Sequence, residues 1–161
     1  MEEKKVKILE ELKKTFPDKI KEASAPFGDE TIVIDRDFLV ILVDFLRKKP
    51  HSYTMLLDLT CIDYMDRKPR FEIVFHLFSL SNNHRLRLKV PLPDEDPWID
   101  SLTFIWKNAN WLEREVFDMF GVEFRGHPDL RRIFMYDGFI GYPLRKDYPL
   151  RKRQPRIRLR K

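Results

Sequence analysis

Residues 70–92 read RFEIVFHLFSLSNNHRLRLKVPL, and this stretch decides the fold. Every second residue from 71 to 77 is apolar, and so is every second residue from 86 to 90, where basic residues fill the positions between them. Alternation with a period of two is typical of β-strands that bury one face. The SNN turn at 81–83 joins the two runs. We therefore predict an antiparallel hairpin whose second strand has one face in water.

Further elements are predicted on the N-terminal side of this hairpin. They are an amphipathic helix over 2–16, a short strand at 31–34, a helix over 37–49 that Asp35 or Asp37 caps and Pro50 ends, and a strand over 53–63. Because 53–63 is nearly apolar throughout, we expect it to be a central strand that is covered on at least one face.

Two helices are predicted on the C-terminal side. Asp96 as N-cap and Pro97 at the first helical position open a helix over 96–106, which has an apolar stripe. The segment NWLEREVFDMFG at 110–121 forms the next helix and ends at Gly121, a residue that is common just past helix ends.

This order of elements predicts an α+β fold, a compact two-layer domain with a mixed β-sheet packed against helices. We place this α+β domain at residues 1–121. Residues 122–161 contain four prolines, and we expect an extended C-terminal arm that is part of the same domain and does not fold independently. The aromatic side chains of the arm need a surface, either on the domain or on a partner.

The positive charge of the chain is concentrated at its C terminus. The net charge is +5, but residues 151–161 hold seven basic and no acidic residues, so residues 1–150 carry −2. A basic tail is compatible with a nucleic-acid-binding protein, which is one alternative function. The mildly acidic body argues against it, and we expect no nucleic-acid partner.

Composition excludes several classes of protein. The single cysteine, Cys61, lies in an apolar stretch, which leaves no internal disulfide, no CxxC pair and no four-thiolate iron–sulfur site. No apolar run approaches the roughly 20 residues that cross a bilayer, and the N terminus does not resemble a signal peptide. We therefore expect no membrane span and a cytoplasmic location. Phosphate-binding and nucleophile motifs are also absent.

The helix over 110–121 carries four ionisable side chains among large apolar ones. On a helical wheel, Glu113 and Glu115 flank the apolar arc on different sides, whereas Arg114 and Asp118 share the polar sector and can pair across one turn. Three interpretations are open: a general acid–base pair, a metal site that includes His127, or structural carboxylates that hold the following loop or a partner through arginines. Because Glu113 and Glu115 diverge and no Glu-x-x-His pair occurs, the structural interpretation is favoured.

The segment EREVFDMFGVEFRGHPDLRRI at 113–133 resembles the signature of the 30 kDa subunit of respiratory complex I, which is also called its C subunit. The matching residues are Glu113, Arg114, Glu115, Asp118, Met119, Phe120, His127, Arg131 and Ile133. Gly121 and the Asp147, Tyr148 and Pro149 of DYPL also look like the family. The resemblance covers most of the chain and implies that these residues serve structure and subunit contact.

The resemblance implies a non-catalytic scaffold subunit in the peripheral arm of a proton-pumping NADH:quinone oxidoreductase. Such a subunit braces the 49 kDa-type (D) subunit near the quinone site and contacts other peripheral-arm subunits. It carries no catalytic, cofactor-binding or metal-binding residues of its own, whereas the complex as a whole contains FMN, iron–sulfur clusters and quinone. The implied location is the cytoplasmic face of the inner (plasma) membrane. An equivalent subunit of a membrane-bound hydrogenase, or of another respiratory dehydrogenase complex, is the alternative.

Overall fold

The structure, a computed structural model, describes residues 5–151 and 153–155. Its elements in chain order are α1 (Lys5–Thr15), β1 (Ile20–Ser24), β2 (Thr31–Ile34), α2 (Leu39–Arg47), β3 (Met55–Asp63), β4 (Phe71–Ser79), β5 (His84–Leu92), β6 (Trp98–Asp100), α3 (Ala109–Phe120) and β7 (Glu123–Arg125). Short 3₁₀ turns occupy Pro26–Gly28 and Arg36–Phe38. Most of the basic tail predicted from the sequence lies outside the described residues.

Five strands form one mixed sheet in the order β1-β2-β5-β4-β3. Strands β2 and β5 are parallel, and the other neighbouring pairs are antiparallel. The predicted hairpin is confirmed, because β4 and β5 pair from Phe71 opposite Leu92 to Ser79 opposite His84. The predicted strand at 31–34 is confirmed as β2.

The sheet packs one of its faces against the helices, which confirms the α+β fold. Alternate residues of β4 and β5, such as Ile73, Phe75 and Leu88, are fully buried and share one hydrophobic core with α1, α2 and α3. On the opposite face, β5 carries Arg85, Arg87 and Lys89 in the register that the alternating pattern predicts. Helices thus form one layer and the sheet forms the other.

The prediction that β3 is a central strand is wrong, because β3 lies at the edge of the sheet. Its apolar residues reflect cover from α3 on one face, while Met55 and Leu57 remain 43% and 42% exposed. Two side chains hydrogen-bond part of this edge. Trp106 Nε1–H donates to Thr54 O at 2.9 Å, and Asn108 Nδ2 donates to Leu56 O at 2.8 Å.

The prediction of a helix over 96–106 is also wrong. Trp98–Asp100 is instead strand β6, which pairs in parallel with β7 (Glu123–Arg125). The indole of Trp98 has the Arg36 guanidinium 4.0 Å from its ring centre and that of Arg125 at 3.3 Å. These partners lie far away in the sequence, so the local helix pattern could not reveal them. In the helix that we predict over 37–49, Asp35 makes no side-chain capping bond. This helix begins at Leu39, directly after a 3₁₀ turn.

The first residues of the segment 122–161 contribute to the hydrophobic core of the domain. Val122 and Phe124 are 0% and 2% exposed and belong to the hydrophobic core. The boundary between domain and arm that we place at residue 121 stays a prediction. No helix within residues 5–151 and 153–155 is long and apolar enough to cross a membrane.

Candidate functional site: the junction of α3 and the C-terminal arm

The polar side chains of α3 are mostly buried, in contrast to the helical-wheel prediction. Glu113 and Asp118 are 0% exposed and Arg114 is 7% exposed, whereas Glu115 is exposed. The predicted ion pair between Arg114 and Asp118 does not form, because each side chain turns to the segment that follows the helix. The wheel treats α3 as a helix with one wet face, but the arm covers that face.

Asp118 binds the first part of the arm with both carboxylate oxygens. Its Oδ2 accepts hydrogen bonds from three consecutive backbone N–H groups, those of Ile133 at 3.1 Å, Phe134 at 2.8 Å and Met135 at 2.9 Å. Its Oδ1 accepts one from Arg132 Nη1 at 2.8 Å. A buried carboxylate needs such charge-assisted partners, and here the arm backbone supplies most of them.

Two further signature residues, Arg114 and His127, contribute contacts to residues 129–132 of the arm. Arg114 Nε donates to Arg131 O at 3.0 Å, and its Nη2 donates to Arg132 O at 3.3 Å. His127 lies 3.1 Å from Asn110 O through Nε2, and its Nδ1 accepts from Asp129 N–H at 3.0 Å. The Asp129 bond assigns the proton of a neutral imidazole to Nε2, which then donates to α3.

The arm also satisfies the C-terminal end of α3. The last four carbonyls of a helix have no partner within the helix. In α3 their donors are Gly121 N–H to Phe117 O at 2.9 Å, Arg132 Nη1 to Asp118 O at 3.4 Å, Leu144 N–H to Met119 O at 3.1 Å and Arg145 Nε to Phe120 O at 2.6 Å. Two of these donors are guanidinium groups, which the negative end of the helix dipole also favours.

Gly121 lets the arm pass close to the end of α3. Its φ of 74° is in the left-handed region, and a Cβ at this position would lie 2.4 Å from the ring of Tyr142. The same ring has the guanidinium carbons of Arg132 and Arg145 5.3 Å and 4.8 Å from its centre. The family-like glycine is therefore required both by the backbone turn and by the space that Tyr142 occupies.

Glu113 faces the turn before α3. Leu102 N–H donates to its Oε1 at 2.7 Å, and its Oε2 has no hydrogen-bond partner among the described residues. Burial raises the pKa of Glu113 to about 7, against the opposing effect of the Leu102 N–H. The signature residues Met119 and Phe120 are buried in the hydrophobic core.

The DYPL segment is bound at a cluster that no sequence motif indicated. Arg70, which is 8% exposed, donates to both oxygens of Asp63 at 2.9 Å and also pairs with Asp94 at 3.1 Å and with Asp147 at 2.8 Å. Lys146 N–H donates to Asp63 Oδ2 at 2.8 Å. Arg70 holds the pKa of both Asp63 and Asp147 below the usual range through these hydrogen bonds.

Tyr148 of the DYPL segment makes further contacts within the arm. Tyr148 stacks on Phe139 at 6.0 Å and is hydrogen-bonded by Gln154, while Pro149 is exposed. No local sequence pattern connects Arg70 to Asp147, because they lie 77 positions apart. The position of Arg70 directly before a strongly apolar strand was the one sequence feature that indicated a carboxylate partner, because a buried arginine is usually paired.

The arrangement holds a chain segment in place by hydrogen bonds. The carboxylate of Asp118 is bound to the arm, Glu115 is exposed and Glu113 is buried at a turn, so these groups do not converge on one substrate bond. Among residues 5–151 and 153–155, no three His, Cys, Asp or Glu side chains are grouped so that they could hold a metal ion. Cys61 is buried as predicted, and burial raises the pKa of its thiol to about 12.

Comparison with known proteins places this chain in a protein family. Residues 32–154 match the family model described as respiratory-chain NADH dehydrogenase, 30 Kd subunit. The C subunit of the NADH-quinone oxidoreductase of Geobacter sulfurreducens is 46% identical over 140 residues, which is 86% of each chain. The corresponding C subunit of Roseiflexus castenholzii is 44% identical over 144 residues, which is 89% of this chain and 83% of that one.

Two solved structures share the fold. The trypsin-resistant fragment (1-134) of Nqo5 superposes with a TM-score of 0.68 at 31% identity and covers 81% of this chain and 100% of that chain. A chain of the membrane-bound sulfane sulfur reductase, an archaeal respiratory membrane complex, superposes with a TM-score of 0.75 over 91% of this chain and 86% of that one. At 21% identity the second likeness shows the fold alone.

Proposed function

Because the chain belongs to the 30 kDa subunit family of respiratory-chain NADH dehydrogenases, we propose that it is a non-catalytic scaffold that braces the 49 kDa-type (D) subunit. The C-terminal arm makes the contact, and the signature residues of α3 hold the arm in its binding conformation. The brace acts beside the quinone site, in the peripheral arm on the cytoplasmic face of the membrane. The complex supplies FMN, iron–sulfur clusters and quinone.

The ordered backbone of the arm, combined with exposed apolar side chains, carries this proposal. Phe134, Ile140 and Leu144 are 61%, 57% and 55% exposed. The N–H groups of Phe134 and Leu144 are bound to Asp118 and to the end of α3. Apolar side chains on a backbone that is already ordered lose less conformational entropy when they bind a partner.

The surface chemistry of the arm fits a protein partner. Large apolar side chains with nearby arginines are the usual composition of subunit interfaces. Arg132 and Arg145 already pack on the rings of Phe139 and Phe71, which fixes the positions of their guanidinium groups.

A matched pair of isoleucines tests the proposal. Ile140 on the arm is 57% exposed, and Ile41 on α2 is 58% exposed. Ile140→Asp should weaken binding to the purified 49 kDa-type subunit by at least about tenfold, since a charge would enter an apolar interface. Ile41→Asp should leave the dissociation constant unchanged. Calorimetry measures both, and equal affinities for the two variants and the unaltered chain would show that the arm is not the main contact.

A further inference from the structure

The loop between β1 and β2 projects an aromatic side chain that no described residue covers. Phe27 is 106% exposed and lies in the Pro26–Gly28 turn with a φ of 56°. A positive φ in a bulky residue is strained by on the order of 1–3 kcal/mol. Within the described chain the ring gains no contact that offsets this strain, so core packing does not account for Phe27.

A cavity and an unpaired cation lie beside this loop. The cavity has a volume of about 240 Å³ and is lined by Gly28 and Asp29 of the loop, Asn83 and His84 at the β4–β5 turn, and Phe78 and Arg85 of the strands. The exposed Arg85 has its guanidinium carbon 5.7 Å from the centre of the Phe78 ring. It makes no ion pair with any carboxylate among the described residues.

The neighbouring cations of β5 differ from Arg85 because they have carboxylate partners. Lys89 pairs with the buried Glu72 at 2.8 Å, and Arg87 reaches Asp29 at 3.5 Å. Positive charge is therefore available mainly at Arg85. Because the exposed Asp29 and the buried Glu30 lie close by, an extended polyanion such as nucleic acid is disfavoured here. A single carboxylate next to an apolar pocket, as on a protein surface, is complementary to this pattern.

This surface lies at the other end of the sheet from the arm. The arm is bound near Phe71, where β4 begins, whereas Arg85 is opposite Phe78, where β4 ends. Strand β4 rises by about 3.3 Å per residue, so the two regions are roughly 23 Å apart. A partner on the Phe27 side is therefore a different contact from the one proposed for the arm.

We propose that Phe27, Arg85 and the adjacent cavity form a docking surface for a segment of a second subunit of the complex that carries a single carboxylate next to an apolar pocket. Phe27 enters an apolar pocket of that subunit, and a carboxylate of the segment occupies the cavity and pairs with Arg85. The proposal rests on the proposed function in one respect, namely that the chain is part of a multi-subunit complex. The chain then joins two subunits through opposite ends of its sheet.

Site-specific photocrosslinking in the purified complex tests the contact. A benzoylphenylalanine is placed at position 27 in one variant and at position 134 in another. We expect the two positions to crosslink to different subunits, and the peptide crosslinked from position 27 to contain Asp or Glu close to the crosslinked residue. Failure of position 27 to reach any subunit, while position 134 does, would overturn the docking surface alone. Failure of position 134 would count against the proposed function.

Two substitutions test the chemistry of the surface. Phe27→Asn keeps a residue that tolerates positive φ, and Arg85→Glu reverses the charge. Each should lower the retention of the second subunit about tenfold in a salt-gradient wash, while the arm-bound subunit stays. Phe134→Asn should give the reverse pattern. The melting temperature of Phe27→Asn should equal or exceed that of the unaltered chain, because strain is relieved, so lost binding would not reflect unfolding.

Two other ligand classes are outcomes of the same test. The unaltered chain and Arg85→Glu are titrated with a random oligonucleotide and with vesicles that contain anionic lipid. We expect neither probe to discriminate between the two proteins. A dependence on Arg85 for either probe, together with unchanged subunit retention, would replace the proposed protein partner by nucleic acid or by a membrane surface.

Discussion

At the scale of single residues, Glu113 has a raised pKa because its side chain is buried. A group whose pKa is higher in the folded than in the unfolded protein stabilises most below the unfolded value of 4.5, and this stability is lost as pH rises to about 7. The loss amounts to about 3 kcal/mol.

Glu113→Gln should therefore remove most of the decrease in the free energy of unfolding between pH 5 and pH 8. The amide oxygen can still accept from Leu102 N–H, and no charge is buried at pH 8. Urea unfolding at the two pH values measures the effect. Glu115→Gln is the matched control, since Glu115 is exposed, and it should keep the pH dependence of the unaltered chain. The same decrease in the Glu113→Gln variant would disprove the assignment.

Asp118 is the residue on which the start of the arm most depends. In Asp118→Asn, an amide N–H₂ would replace one of the oxygens that now accept from the N–H groups of 133–135 and from Arg132. We expect a loss of roughly 3 kcal/mol, typical of a buried charge pair with one partner removed. The N–H groups of 133–135 should lose their protection in hydrogen exchange before those of β4.

Asp129→Asn provides the control for Asp118, because its ion pair with Arg131 is at the surface. It should change the free energy of unfolding by less than about 0.5 kcal/mol. Equal effects of the two substitutions would mean that Asp118 does not anchor the arm.

At the scale of elements, the turn that ends α3 requires glycine because its φ is positive and because the ring of Tyr142 lies close to it. A second glycine with a positive φ but no close neighbour distinguishes these two effects. Gly121 and Gly126 have φ values of 74° and 81°, but only at Gly121 would a Cβ collide with Tyr142. Gly126→Ala should lose about 1 kcal/mol for the backbone alone. Gly121→Ala should lose at least about 1–2 kcal/mol more, since the ring must move. Chemical denaturation gives the difference, and similar losses would show that Tyr142 adapts freely.

Elements whose partners are close in sequence could be predicted, and elements with distant partners could not. The β4–β5 hairpin follows from its alternating pattern and its turn. Strand β6 was missed because Asp96 and Pro97 form a good helix-start pattern, whereas its partner strand β7 lies beyond α3, with Trp98 in register with Glu123. Strand β3 lies at the edge because the sheet continues from β5 to β2 and not beyond β3. This pairing could not be predicted from the sequence of β3 itself.

The signature residues were identified from the sequence, but their environment was not. A helical wheel considers one helix in water, so it assigned Arg114 and Asp118 to a solvent face that the arm in fact covers. Arg70, the centre of the second cluster, had no motif at all. Its role depends on Asp63 and Asp147, which the fold brings together from positions 7 and 77 residues away.

At the scale of the whole molecule, the carboxylates bound by Arg70 and the buried Glu113 set opposite limits on the pH range of stability. The pKa values of Asp63 and Asp147 are lowered in the folded protein, mainly by hydrogen bonds from Arg70. Carboxylates of this kind stabilise above their unfolded pKa near 4, and this contribution is lost as pH falls further. Glu113 acts in the other direction between pH 4.5 and about 7. The free energy of unfolding should therefore be highest between these two ranges.

The two limbs of this profile should respond to different substitutions. Asp147→Asn should lower the free energy of unfolding at pH 7 by less than about 1 kcal/mol, because Asp147 is half exposed and solvent screens the pair, and the difference should be smaller at pH 3. Glu113→Gln should alter only the limb above pH 5. Urea titrations of both variants at pH 3, 5 and 8 measure this.

The double variant should show the sum of the two effects, since Asp147 and Glu113 share no hydrogen bond. Strong non-additivity in the same titrations would mean that the arm couples the two residues.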